Sequence, residues 1–328
     1  MSTSTSSPTH RSIAASVTPL RLVLAFLSIY VIWGSTYLAI ALLIETLPGF
    51  VMVGVRFVLA GLILGGIAWA RGAPRPTAVE VRGASVIGVM LLFGGTGAVV
   101  WAADYLPSGL LAVLVAMEPL WIALLQWGGG RRPSLLTVLA LGLGFLGAAV
   151  LAAPDDVLRG TPVHLPSVLA ILVGSFSWAA GSLYSRRVAL PASGAIVAAV
   201  QMLAGGGALL VFGLARGELR AFDPSGVSVT SVLAFLYLVT FGSLIAFSAY
   251  SWLIRVVEPT LVATHTYVNP AVAVFLGWWL ADEIVGPRVL GATTLIIGSV
   301  ILLTTQEARR ARRRRRNASS KDVAQDSS

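Results

Sequence analysis

Ten runs of about 20 apolar residues fill most of this 328-residue chain, and they constrain its fold more than any other feature. A helix rises about 1.5 Å per residue, so a run of that length crosses a hydrocarbon core of about 30 Å. The runs are 22–44, 49–70, 83–103, 108–127, 134–153, 167–187, 193–215, 229–254, 260–281 and 287–305. Each is continuous, whereas a membrane barrel would show strands of about ten alternating residues. Turn signals separate the runs, among them Pro48-Gly49, Pro107-Ser108-Gly109, Pro154-Asp155 and Asp223-Pro224. The pattern predicts an all-α polytopic membrane protein with ten transmembrane helices.

Composition agrees with that reading. Hydrophobic residues make up 56% of the chain and charged residues 11%, a balance that one water-facing globule cannot bury. A soluble enzyme, a disordered chain and a collagen-like fibre are thereby excluded, and the absence of cysteine excludes a disulfide scaffold. The first run is too long for a signal peptide and carries Trp33 and Tyr37 in its middle.

The net charge of +9 would suggest nucleic acid in a soluble protein, so the positions of the charges decide its meaning. Eight of the 23 basic residues follow Thr305, including the run Arg312–Arg316. That run reads as a solvated cytoplasmic anchor against anionic lipid, not as a nucleic-acid site. With the N-terminus inside, ten arginines (Arg11, Arg21, Arg71, Arg75, Arg82, Arg131, Arg132, Arg186, Arg187 and Arg255) fall in inside segments before the tail. Arg159, Arg216, Arg220 and Arg288 fall outside. The bias predicts a multi-pass protein of the cell (plasma or inner) membrane with both termini cytoplasmic. Residues 1–21 are expected to be a disordered cytoplasmic segment, 154–166 an external linker and 306–328 a basic cytoplasmic tail.

The chain repeats itself. Trp33 and Trp178 lie 145 residues apart, and at that offset Gly49 matches Gly194 and Arg56 matches Gln201. Later the offset is 151, pairing Trp101 with Trp252, Glu118 with Asn269, Pro119 with Pro270 and Gly147 with Gly298. Two units of five spans follow, 22–153 and 167–305. Five is odd, so the second unit enters the membrane inverted. Inverted repeats place a substrate site near the midplane between the two copies.

These residues carry a family resemblance. Trp33-Gly-Ser-Thr-Tyr-Leu-Ala-Ile40, Pro48 and Val55-Arg-Phe57 resemble the opening of an EamA-type unit of the drug/metabolite transporter superfamily. Ser177-Trp178, Gly181-Ser182, Tyr267-Val-Asn-Pro-Ala-Val-Ala-Val274 and Glu283 resemble the second such unit. The resemblance spans about 22–305 and is nearest to the YedA-type exporters. Two departures are Gly128-Gly-Gly-Arg-Arg132, where such units often have a Gly-Glu pair, and His265, where a small or aromatic residue is usual. The resemblance implies two inverted five-helix EamA repeats around a central cavity, and export of metabolites or drugs. Import or exchange of a metabolite such as an amino acid stays open.

Charged groups inside a bilayer are costly, about 2.5–3.5 kcal/mol each on insertion scales, so the few present matter. Arg56, Glu118, Gln201, His265 and Asn269 fall within the runs. Arg56 and Glu118 either form an ion pair that locks two helices or line the cavity. In the second case Glu118 exchanges a proton or meets a cationic group of the substrate. Trp33, Tyr37, Trp101 and Trp178 complete the candidate substrate-binding set. Indoles and phenols of this kind otherwise act as interfacial anchors. Ser35, Thr36, Ser177 and Ser182 either reach a ligand or bond back to the backbone. His265 has no second ligand at metal spacing, so neither a metal nor a cofactor is expected. The small residues Gly61 and Gly65, the stripe Ala140, Gly144 and Ala148, and the pair Gly291 and Gly298 either pack the bundle or build a dimer.

An intramembrane enzyme would need a catalytic constellation, and the chain holds no HExxH, no Ser beside a His and no paired aspartates. A channel would favour a ring of filter residues. The expected partners are the lipid bilayer, a small-molecule substrate and a coupling proton.

Overall fold

The computed structural model describes residues 18–130, 133–152, 164–257, 262, 264–283 and 286–326. The segment expected to be disordered lies outside them up to residue 17, as does most of the external linker, 154–163.

Ten apolar helices follow one another: α1 (Pro19–Ile44), α2 (Gly49–Ala70), α3 (Ala78–Ala102), α4 (Ser108–Gly128), α5 (Leu135–Ala152), α6 (Leu165–Tyr184), α7 (Gly194–Ala215), α8 (229–256), α9 (His265–Leu280) and α10 (Pro287–Asp326). Seven are long and apolar enough to cross a membrane whole. In α5, α9 and α10 the apolar parts are Leu135–Val150, Val268–Ala281 and Pro287–Leu303. No strand occurs among the described residues.

Two boundaries differ from the apolar runs. α3 begins five residues before its run because Thr77 and Glu80 form a capping box, which starts the helix on an exposed polar turn. α10 does not stop near 305, and its backbone stays helical through the basic tail to Asp326.

Which helices touch reveals the symmetry. α2 packs on α7, α4 on α9 and α5 on α10. α1 contacts α8 and α9, α6 contacts α3 and α4, α2 contacts α8, and α7 contacts α3. Exchanging the two halves turns α1 with α8 into α6 with α3, and α1 with α9 into α6 with α4. It turns α2 with α8 into α7 with α3 and leaves the first three pairs unchanged. A pseudo-two-fold axis therefore relates two inverted five-helix repeats.

Small residues set the closest approach along it. A Cβ on Gly206 of α7 would lie 2.7 Å from Phe57 Cβ and 3.0 Å from Gly54 O of α2. The symmetry-related contact holds too, for a Cβ on Gly61 would lie 3.0 Å from Ala199 O. Gly61 and Gly65 thus pack inside one chain, and so do Ala140, Gly144 and Ala148, with Gly144 against Leu120 and Ser299. Gly291 and Gly298 meet nothing within 4 Å.

Three helices carry wide π-helical stretches: Ser28–Ile32 in α1, Val89–Thr96 in α3 and Leu238–Phe247 in α8. The last two are repeat mates. α4 is interrupted at Ala116–Met117, before Glu118-Pro119, because Pro119 has no N–H for Val115 O. Pro270 occupies the matching place in α9, where the helix runs on.

Candidate functional site

Trp33 and Trp178 occupy the same position in the two repeats, and their rings meet edge to face at 6.3 Å with an 87° angle between planes. Positions related by a two-fold can touch only beside the axis. The contact therefore marks the centre of the molecule, where a cavity of about 100 Å³ opens. Its lining includes both tryptophans together with Tyr37, Arg56, Glu118, His265 and Asn269. Of the nine residues singled out in the sequence, the structure brings these seven together.

Around Trp33 the aromatic wall continues with Tyr250 at 4.9 Å, His265 at 5.3 Å and Phe247 at 6.4 Å. The Trp33 indole N–H donates to Gly242 O at 3.4 Å. Gly242 and Phe247 belong to the π-helical stretch of α8, and Gly95 and Thr96 to that of α3. Wide turns thus flank the cavity on both sides, in keeping with the frequent occurrence of such turns at functional sites.

Each polar group is held differently. Arg56 is 4% exposed; its Nε donates to Ser243 Oγ at 2.8 Å, and its guanidinium lies 4.6 Å from the Phe57 ring centroid. Among the described residues it forms no ion pair with Glu118. The reason is geometric: Arg56 reaches from α2 to α8, whereas Glu118 opens the second half of α4. The lock between those two helices is therefore not formed, and both charges reach the cavity.

His265 donates from Nδ1 to Val262 O at 2.9 Å, since a carbonyl only accepts. That fixes the neutral ring as the Nδ1–H tautomer. Asn269 is 4% exposed. In the amide orientation that its surroundings require, Nδ2 donates to Ile29 O at 3.2 Å, Tyr30 O at 3.1 Å and His265 O at 3.1 Å. Ile29 and Tyr30 lie in the π-helical stretch of α1, whose carbonyl pattern is disturbed. Asn269 thus ties α9 to α1. Its mate Glu118, a carboxyl, cannot make that set of bonds while ionised.

Trp101 and Gln201 lie off the cavity. Trp101 sits at the end of α3, 5.8 Å from the Tyr105 ring and 6.2 Å from His164. Its mate Trp252 packs where the start of α1 meets the end of α8. Inversion sends mates remote from the axis to opposite ends, so recurrence alone did not place Trp101 at the centre. Gln201 is buried with its backbone against Gly88 of α3. Ser35 bonds Ile32 O and the Tyr237 hydroxyl, Ser177 bonds Met90 O, and Thr36 bonds Trp33 O while lining the cavity. The Tyr267 side chain lies outside the described ones. Among the described residues no group of three His, Cys, Asp or Glu could hold a metal ion.

At the end holding Trp101, two carboxylates cap helices of the opposite repeat. Glu283 accepts from Ser108 N at 2.8 Å and Gly109 N at 3.2 Å, at the start of α4. Glu218 accepts from Val51 N at 2.9 Å and Phe50 N at 3.3 Å, at the start of α2.

Residues 20–153 and 165–305 each match the profile of the EamA-like transporter family. The chain belongs to that family. This EamA chain is 38% identical over 260 residues to the Uncharacterized inner membrane transporter YedA of Escherichia coli (strain K12), covering 79% of this chain and 82% of the relative. It is 26% identical to the Uncharacterized transporter YvbV of Bacillus subtilis (strain 168), covering 85% and 89%. It is 24% identical to Protein PecM of Dickeya dadantii (strain 3937), covering 79% and 84%. A solved crystal structure covers 89% of this EamA chain and 99% of its own, at 21% identity and a TM-score of 0.59, a likeness of fold. The protein is a multi-pass membrane transporter of the EamA family.

Proposed function

We propose that the chain is a secondary transporter that exports small metabolites or drugs by alternating access through the axial cavity. The contact of Trp33 with Trp178 carries this reading, because it sets the cavity between two inverted repeats. A site on such an axis stands in the same relation to both membrane faces. One asymmetric arrangement of the repeats opens it to one side, and the exchanged arrangement opens it to the other. The π-helical stretches and the interruption before Glu118 supply helix segments that bend.

In this reading the aromatic wall holds the apolar body of a substrate. Glu118 exchanges a coupling proton or meets a cationic group, and Arg56 faces any anionic one. Export rests on the family resemblance, and the inner membrane is the setting named for the Escherichia coli relative. The arginine bias supports cytoplasmic termini.

An untargeted metabolite and toxicity screen of overexpressing cells, with a Glu118→Ala control, finds the substrate. Reconstitution in liposomes then tests the mechanism. Saturable flux with counter-flow is the expected result, and non-saturating flux would point to a channel instead. Glu118→Gln is expected to abolish transport or its pH dependence, and full activity with an unchanged pH profile overturns the role of Glu118.

A further inference from the structure

The repeat symmetry fails between Gly147 and Gly298, and a groove lies there. Gly147 of α5 is closely packed, with a Cβ there 2.7 Å from Ile296 Cγ1 and 3.1 Å from Ala292 O of α10. Its mate Gly298 in α10 meets nothing within 4 Å. Gly298, Ile301, Leu302, Thr305 and Arg309 stand at positions i, i+3, i+4, i+7 and i+11, so they share one face of α10. Leu136 of α5 walls that face, and the space between is about 370 Å³. Leu136 and Ile301 are each 46% exposed.

The groove's length is informative. From Gly298 to Arg309 a helix rises about 16 Å, close to the hydrocarbon depth of one leaflet. Its apolar part ends at a polar knot in which Thr137 Oγ1 donates to Gln306 Oε1 at 3.2 Å and Gln306 Nε2 donates to Ser134 Oγ. Arg309 stands exposed just beyond. The same helix continues, and the sequence adds Arg310 and Arg312–Arg316 within its next two turns.

We propose that this groove binds one anionic phospholipid, with an acyl chain along Gly298, Ile301 and Leu302 and the phosphate at Arg309. A groove that runs from apolar residues to positive charge matches the two halves of such a lipid. A second copy of the chain is the poorer occupant. Copies share one orientation in the membrane, so docking on this face would set two arginine runs side by side in one leaflet.

Native mass spectrometry of the full chain in detergent, titrated with phosphatidylglycerol or phosphatidylcholine, tests this. Phosphatidylglycerol is expected to bind more tightly, and glycerol phosphate, which lacks the chains, is expected not to displace it. Gly298→Leu has open space at its Cβ and fills the groove; it should weaken phosphatidylglycerol about tenfold, the worth of roughly two methylenes kept out. Arg309→Gln should weaken it about fivefold. Equal binding of both lipids, displacement by glycerol phosphate, or phosphatidylglycerol binding unchanged in both variants overturns the proposal. A wild-type dimer that Gly298→Leu converts to a monomer assigns the groove to a second copy and overturns it as well. None of these readouts involves transport, so the outcome is independent of the axial cavity.

Discussion

Gly206 and Gly207 are neighbours on α7, yet replacing each with alanine should have different consequences. A Cβ at Gly206 would lie 2.7 Å from Phe57 Cβ, 3.0 Å from Gly54 O and 3.0 Å from Val58 N. Two of these are backbone atoms and the third is a Cβ, so none can swing aside. Relief requires α2 and α7 to separate, and overpacking of this kind costs about 1–3 kcal/mol. A Cβ at Gly207 meets nothing within 4 Å. Both variants gain the same helix propensity, about 1 kcal/mol for Gly to Ala. That gain cancels in the comparison and leaves a difference of about 1–3 kcal/mol against Gly206→Ala. The repeat offers an internal duplicate in α2. Gly61, close to Ala199 O and Leu203 Cγ at 3.0 Å each, should behave as Gly206 does, and the open Gly66 as Gly207 does. Unfolding of the purified variants in mixed micelles, followed by circular dichroism, measures all four. Equal stability of Gly206→Ala and Gly207→Ala would show that α2 and α7 do not approach as described.

Asn269→Asp replaces a donor to three carbonyls with an acceptor, and should cost about 1–3 kcal/mol in the same assay. Glu283→Ala and Glu218→Ala each remove a carboxylate that caps a helix start, at about 1 kcal/mol apiece; a double variant no less stable than wild type would refute the caps. Arg56→Gln should depress transport of carboxylate-bearing substrates about tenfold more than that of neutral analogues, and equal losses would make Arg56 a packing residue. Burial raises the Asp104 carboxyl above its ordinary value, with Arg216 opposing and Glu218 adding. Its protonated form therefore favours the folded chain, and stability from this group is lost as pH rises past the carboxyl range. Asp104→Asn should flatten that part of the melting profile.

Much of the architecture was readable because each span is apolar throughout. The run 49–70 coincides with α2, and the connection after it is marked by Arg71-Gly72. Boundaries set by polar contacts were less visible, as at α3, where the Thr77 cap adds a turn that hydrophobicity does not mark. The π-helical stretches left no signal, because a helix that is apolar on every side has no periodic pattern for an extra residue to disturb. For that reason Thr96, Gly242 and Phe247, which line the cavity from those stretches, were missed. Matching the two halves found Trp33 with Trp178 and Glu118 with Asn269. The same matching offered Trp101, because an offset in sequence carries no information on distance from the axis.

The perpendicular tryptophans carry one more implication. Nearly perpendicular at 6.3 Å, the two rings are a place where corresponding positions of the repeats touch. A change at either tryptophan therefore alters both repeats at once.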